Sequence, residues 1–350
     1  MKNFNLDSNF FNLKKDNKQK KFLKSVIKLN NHHFKNCREY KEIIVNNYPN
    51  INKIDQLKDM PMIPVKLFKL INLKSIKEKD IYKIIYSSGT SSDGLSKIYL
   101  DKNNAKIQIQ VLNNLFSEII TSNRYPMLII DKNIKNNSGN FNAQKAAIAG
   151  FSIFGKKKFF LLKDNNKINY DELRNFKKYV GKDKYFIFGF TNKIYEYLIK
   201  ELDSKYLNKN AIIIHGGGWK KMEKFKISNE KFKKLIYQKF KISRIHNYYG
   251  MIEQTGSIFF ECKNGFFHTS VFSEIFIRDQ YFNDLKFNKK GLIQLISLIP
   301  ESYPGHNILT EDVGEIFGED TCKCGLKGKY FKVYGRLQKS EIRGCGNIND

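Results

Sequence analysis

The sequence contains no uninterrupted apolar run long enough to cross a bilayer, and its first residues, MKNFNLDSNFFNLKK, lack the continuous apolar core of a secretion signal. The chain is therefore read as cytoplasmic and without a transmembrane segment. Cysteine is scarce: five in 350 residues, an odd and scattered set. That argues against a disulfide framework and leaves metal binding or thiol chemistry as the default. Acidic residues are few, 34 against 62 Lys and Arg, for a formal net charge of +28. There is one tryptophan, Trp219. No internal repeat is present, and no Gly-x-x-x-x-Gly-Lys-Ser/Thr spacing of a Walker A loop.

Hydrophobic residues make up 41% and aromatics 14%, with 29 Phe and 19 Tyr. Such a chain can bury enough apolar surface to offset the entropy of ordering it, so disorder is excluded as its main state. Its length allows two domains or one large lobed domain. The positive charge raises the possibility of a nucleic-acid partner, because clustered Lys and Arg gain affinity from counterion release. Here, however, the lysines are spread among many Asn and Ile, a pattern that an AT-rich genome also produces, and read as a solvated surface ahead of the alternative reading, a basic nucleic-acid-binding protein. No nucleic-acid partner is expected. The charge still favours anions such as ATP, acidic carriers or anionic head groups.

Residues 1 to about 80 are polar and helix-prone, with Phe22, Val26, Ile27 and Leu29 at mixed helical spacings and a Pro61/Pro64 interruption. From Ile81 the pattern alternates strand and helix: Ile84–Tyr86, Met127–Ile130, Tyr185–Phe188 followed by a helix-like Lys193–Leu202, then Ala211–Ile214. This predicts an α/β fold with largely parallel sheets covered by helices. After about Phe266, short strands at Ser273–Ile277, Leu292–Leu298 and Glu315–Phe317 predict a β-rich lobe.

Four clusters carry chemistry. The first, Ser87-Ser88-Gly89-Thr90-Ser91-Ser92-Asp93-Gly94-Leu95-Ser96-Lys97, follows an apolar strand and supplies the hydroxyls, glycines and lysine that cradle a polyphosphate. A flexible Ser/Gly linker has the same composition, so the residues alone leave both readings open. The second, His215-Gly216-Gly217-Gly218-Trp219-Lys220, ends another apolar strand, where α/β sheets place ligands. Its three glycines leave room for a flat ring, or make a tight turn; Trp219 reads as a packing residue. In the third, Asn247-Tyr248-Tyr249-Gly250-Met251-Ile252-Glu253, rings able to stack on a base precede a carboxylate able to hold Mg²⁺. The fourth joins Leu309-Thr310-Glu311-Asp312 to Gly335-Arg336, an acceptor for ribose hydroxyls and a partner for ribose or phosphate.

In order and spacing, SSGTSSDGLSK, HGGGWKK, YYGMIEQTG and YGRLQKSEIRGCG resemble the motif series of the acyl- and aryl-adenylating superfamily. The likeness is strongest to the acyl-protein synthetases of the LuxE type, with phenylacetate-CoA ligases as relatives, and covers about Ile81 to Asn347. It implies the large N-terminal-type domain of those enzymes without the small mobile C-terminal domain. The implied organisation is a helical lead-in over 1–80, an α/β adenylation core over 81–265, a β-rich lobe over 266–335 and a tail over 336–350. It also implies ATP and Mg²⁺ as cofactors and a small carboxylic acid, of the fatty type, as substrate. By the same likeness Ser87, Ser88, Gly89, Thr90, Ser91, Ser92 and Lys97 form the phosphate loop. Gly216, Gly217, Gly218 and Tyr248 or Tyr249 contact adenine, Glu253 holds Mg²⁺, Asp312 binds ribose and Arg336 stands near the nucleotide. Three positions depart from the pattern: Ile252 replaces a phosphate-contacting Thr or Ser, Glu311 replaces a Gly, and the C-terminal domain with its lysine is not found before Asp350.

Two further sites are expected. Cys345, between two glycines in Arg343-Gly344-Cys345-Gly346, matches the acylated cysteine of acyl-protein synthetases and would take the acyl group as a thioester. Judged locally, it is an ordinary terminal cysteine. Cys262, His268, Cys322 and Cys324 make a tetrahedral zinc set of three thiolates and one imidazole, or else a small buried cysteine and a C-x-C turn; a similar arrangement in phenylacetate-CoA ligases favours zinc. The competing enzyme reading sends the acyl group to a separate acceptor: CoA, a carrier thiol or acceptor protein, an amine or a sugar.

Overall fold

The computed structural model describes residues 9–13, 15–48, 54–87, 94–133 and 142–337. The chain divides into two compact units, Met1–Asn114 with Met251–Asp350, and Leu115–Gly250.

The first unit opens with helices α1 (Lys15–Asn36) and α2 (Arg38–Asn47). Phe22 and Val26, one turn apart on α1, are buried against Phe276, Ile296 and Leu298 together with Leu57 and Met60. The Pro61 and Pro64 backbone is extended, as a residue before proline must be, and carries the short strand β1 (Ile63–Pro64). After α3 (Leu67–Leu70) comes a two-stranded sheet, β2 (Lys83–Tyr86) and β3 (Lys97–Leu100), with Tyr86 opposite Lys97. Helix α4 (Lys102–Ile119) starts at Asp101, whose carboxylate accepts from the Asn104 N–H at 2.7 Å.

The second unit alternates β4 (Tyr125–Lys132), α5 (Ala143–Ser152), β5 (Gly155–Leu162), α6 (Tyr170–Val180), β6 (Tyr185–Phe190), α7 (Thr191–Lys193), β7 (Ala211–Gly216), α8 (Asn229–Phe240) and β8 (Arg244–Tyr249). The strands are parallel in the order β5-β4-β6-β7-β8, so the winding reverses between β4 and β6. Strands β6 and β7 are buried along their whole length, which is why they read as continuous apolar runs. Helix α6 begins where the Asn169 side chain accepts from the Glu172 N–H and buries Leu173, Phe176 and Val180 on one face. The stretch after α7, expected as ordinary helix, is a π-helix over Ile194–Glu201.

The rest of the first unit holds β9 (Phe259–Phe260), β10 (Phe267–His268), β11 (Ser273–Arg278), β12 (Lys290–Ser297), β13 (Asn307–Glu319) and β14 (Lys329–Arg336). β10 to β14 give an antiparallel sheet β10-β14-β13-β12-β11, to which β1 adds in parallel beside β13. β13 is much longer than the Glu315–Phe317 segment predicted. Its first half is polar in sequence, but the structure buries Asn307 and Thr310 by pairing them: Asn307 Nδ2 donates to the Met60 and Pro61 carbonyls, and Thr310 Oγ1 to that of Ile293. No described helix is long and apolar enough to cross a membrane.

Candidate active site

The glycine cluster sits at the carboxyl end of β7. Gly216 lies so close to Tyr248 on β8 that a Cβ there would come within 2.5 Å of the Tyr248 carbonyl oxygen and 2.7 Å of its ring. Gly217 has φ +77, and its Cβ would meet Phe190 at 2.5 Å. At Gly218 the space is open. Thus the first two glycines are required by close approach and a left-handed turn, while the third leaves an uncovered backbone face. Tyr248 is buried, which pushes its phenol well above the usual range; Tyr249 is half-buried. Trp219 packs edge-on against Tyr195 and Phe232, as a core residue does.

One anchor of this turn went unnoticed in the sequence. Thr191, immediately after β6, donates its hydroxyl to the Gly216 carbonyl at 3.1 Å and stands 3.0 Å from His215 Nδ1. With the hydroxyl proton committed to the carbonyl, Nδ1–H is the donor to Thr191. Burial keeps the ring neutral, lowering the His215 pKa to about 3. The pairing of Phe190 with Gly216 brings the residue after β6 to the same edge, a placement that no local sequence pattern marks.

In the first unit, Ser87 ties off the Ser/Gly loop. Its N–H donates to the Ser96 carbonyl at 3.0 Å, and its Oγ accepts from the Ser96 N–H at 2.9 Å. Ser88, Gly89, Thr90, Ser91 and Ser92 lie outside the described residues, as does Cys345. Lys97 is exposed at the start of β3. Glu253, on a short 3₁₀ turn, is buried. Burial pushes its carboxyl above the usual range, opposed by the nearby Ser96 hydroxyl, which makes no hydrogen bond of normal geometry, and by the charges of Arg336 and Lys69. The turn is held on both sides: Gln254 Nε2 donates to the Leu295 carbonyl at 2.9 Å and the Thr255 N–H to Tyr303 Oη at 3.2 Å. The Thr255 hydroxyl donates to the Ile252 carbonyl. Asp312 and Arg336 are directly opposite each other on β13 and β14. Glu253, Arg336 and Asp312 are therefore brought together within this unit, along with the base of the Ser/Gly loop.

Cys262, His268, Cys322 and Cys324 also converge, with all four ligand atoms within 4.8 Å of one another. His268 Nε2 is 3.3 Å from Cys324 Sγ. Backbone N–H groups of Asn264 and Leu326 each approach a cysteine sulfur, Cys262 and Cys324, at 3.4 Å. Burial raises the Cys262 thiol, raises that of Cys324 to about 12 and lowers His268 to about 4, so without a cation these three donors are neutral. Three thiols and an imidazole gathered this closely, with amides aimed at two of the sulfurs, are a donor set that a zinc ion accepts. A surface cavity of about 570 Å³ beside the π-helix is lined by none of the predicted site residues.

The doubly wound sheet and the antiparallel lobe belong to an ATP-dependent ligase of the acyl-adenylating type. The chain belongs to the acyl-protein synthetase family, LuxE, whose model matches residues 1–350. Among solved structures it is similar to 2-hydroxyisobutyryl-CoA ligase in an open conformation with 2-HIB-AMP and CoA (TM-score 0.69, 10% identity, 95% of this chain and 79% of that one). The postadenylation state of that ligase gives a TM-score of 0.70 at 10% identity, over 95% and 71% of the two chains. The amide bond synthetase McbA from Marinactinospora thermotolerans gives 0.50 at 12% identity, over 82% and 54%. At these identities the likeness is one of fold alone. No curated protein matches the sequence.

Proposed function

We propose that this enzyme converts a fatty-type carboxylic acid to its acyl-AMP and then carries the acyl group as a thioester on its own Cys345. In the first step a carboxylate oxygen attacks the α-phosphorus of ATP. The bond from that phosphorus to the β-phosphate oxygen breaks, and pyrophosphate leaves. In the second the Cys345 thiolate attacks the acyl carbonyl carbon, and AMP leaves with the oxygen that joined it. Ser87 to Ser92 and Lys97 hold the phosphates, Gly216 to Gly218 with Tyr248 or Tyr249 hold adenine, and Asp312 and Arg336 hold ribose and its neighbouring phosphate. Glu253 holds the Mg²⁺ that neutralises charge on the leaving oxygens. Positioning and electrostatics supply most of the acceleration. Zinc at Cys262, His268, Cys322 and Cys324 is structural, and the reaction takes place in the cytoplasm.

The observation that carries the reading is the buried Glu253, a carboxylate faced by Ser96 at the base of the Ser/Gly loop, by Arg336 and by Lys69. A carboxylate raised by burial and surrounded by cationic groups is poised for a metal-bound polyphosphate. Acid-dependent exchange of pyrophosphate into ATP tests the first step. Cys345→Ala separates the second: exchange persists, and hydroxylamine-sensitive acyl label on the protein disappears. A Cys345→Ala protein that still takes the label, or a wild type that exchanges without labelling itself, sends the acyl group to a separate acceptor.

A further inference from the structure

Within Leu115–Gly250 the buried polar side chains among the described residues are Asp131, Thr191 and His215. All three stand at the carboxyl edge of the sheet, at the ends of β4, β6 and β7. Most of the other buried side chains described in this unit are apolar. Ligand sites are mostly apolar with a few placed polar groups.

Asp131 and Lys193 flank the point between β4 and β6 where the winding of the sheet reverses, the place at which open α/β sheets leave a crevice. Lys193 Nζ is 2.5 Å from Asp131 Oδ1, and Gln144 Nε2 donates to Asp131 Oδ2 at 2.7 Å. The Asp131 side chain is 7% exposed and that of Lys193 20%. Lys193 is also the last residue before the π-helix, a rare distortion that tends to accompany function. Register places the group relative to the glycine turn. Ile129 pairs with Phe188, and Phe190 two residues on pairs with Gly216, so Asp131 stands toward the same end of the sheet as Gly216, with β6 between their strands.

We infer that Asp131 and Lys193 form a subsite for a hydroxyl group on the acid, so that the substrate is a hydroxylated fatty acid and not a plain one; this rests on the adenylation reading above. The paired charges offer one acceptor and, on the ammonium, further donors. A hydroxyl answers both, donating to Asp131 and accepting from Lys193. A methylene answers neither, and a charged group meets one like charge beside each opposite one, so the neutral pair gives it no net attraction. Because Asp131 and Lys193 satisfy each other when no hydroxyl is present, discrimination is modest. A site whose polar groups would be left unpaired rejects the wrong substrate by 10⁴ or more, whereas here about 10- to 100-fold is expected.

The test measures pyrophosphate exchange with butyric, hexanoic and octanoic acids, each beside its monohydroxy analogues. Wild type should favour at least one hydroxy acid about tenfold or more in kcat/KM over its parent. Lys193→Met and Asp131→Asn should each bring that ratio toward one while leaving the KM for ATP in place, a split that a general loosening of the fold would not give. Equal turnover of plain and hydroxylated acids by wild type overturns the inference alone, and so does an unchanged ratio in both variants. No exchange on any acid overturns it together with the adenylation reading.

Discussion

In Leu115–Gly250 the polar side chains buried among the described residues line one edge of the sheet, whereas the other unit threads polarity through its core. There Lys18 and Lys329 flank Glu274 at 3.2 and 3.3 Å. His33 stacks on His306 with ring centroids 4.8 Å apart, and Arg278, Gln294 and Asn307 form a relay. Each network joins segments far apart in sequence: α1 to β11, α1 to the Pro300 carbonyl, and the Met60 loop to β13. Apolar contact tolerates small slides, but a satisfied buried network accepts one arrangement. The parallel sheet gets its order from continuous local strands; the antiparallel lobe needs specific partners to gather both ends of the chain.

The largest effect should come from breaking the triad. Lys18 and Lys329 outweigh burial and hold the Glu274 carboxyl below its usual range, so it is ionised. Glu274→Gln leaves two buried lysines without their counter-charge and should cost about 3–5 kcal/mol. Hydrogen exchange should rise in α1, β11 and β12 and stay low in β6 and β7; equal loosening of both units would erase the contrast. The metal comes next. Protein purified without chelators should carry about one zinc per chain, and Cys322→Ser should lose it and loosen the β13–β14 loop while β6 and β7 keep their protection. Fully folded, metal-free wild type would remove zinc from the account.

The same contrast explains how much the sequence disclosed. The strands β4, β6 and β7 were legible because burial on both faces leaves unbroken apolar runs, and the glycine turn was legible because close approach to Tyr248 and Phe190 admits no side chain. The four ligand-type residues of the cysteine cluster could be picked by chemistry, though only the fold brings 262 and 268 beside 322 and 324. Thr191 and Asp131 were not legible: a lone Thr or Asp after a strand carries no local mark, and their roles come from neighbours on other strands. The first half of β13 was missed because its Asn and Thr read as loop until pairing with distant carbonyls is known. No local pattern could announce that Met1–Asn114 and Met251–Asp350 form one unit.

A smaller effect probes the parallel sheet. In Gly216→Ala the new methyl meets the Tyr248 backbone oxygen, which cannot swing away as a side-chain tip could. A cost of about 1–3 kcal/mol in that unit is expected, read by thermal denaturation, with a raised KM for ATP. Gly218→Ala meets no atom within 4 Å but has φ +67, so about 1–2 kcal/mol of backbone strain is expected and no steric displacement of Tyr248. Were Gly218→Ala the more damaging to stability, close approach would not be what the glycine turn is for.

The smallest effect, a shift in pH, should separate the units by ratio. Burial lowers His33 well below its ordinary value and His306 to about 3 in the first unit, and His215 to about 3 in the second. For each, the unfolded chain takes up a proton near pH 6.5 while the folded chain does not, so stability is full above that pH and is lost as pH falls toward 3. Between pH 7.5 and pH 6 each buried histidine should remove about 0.8 kcal/mol. His268 is set apart, since a metal would hold it neutral. The first unit therefore loses about twice what the second does, from His33 and His306 against His215. Hydrogen exchange at the two pH values, corrected for the intrinsic rate, measures both at once. Replacing His306 with Gln should bring the two losses level. Equal losses in wild type would mean that the stacked pair is not buried neutral in solution.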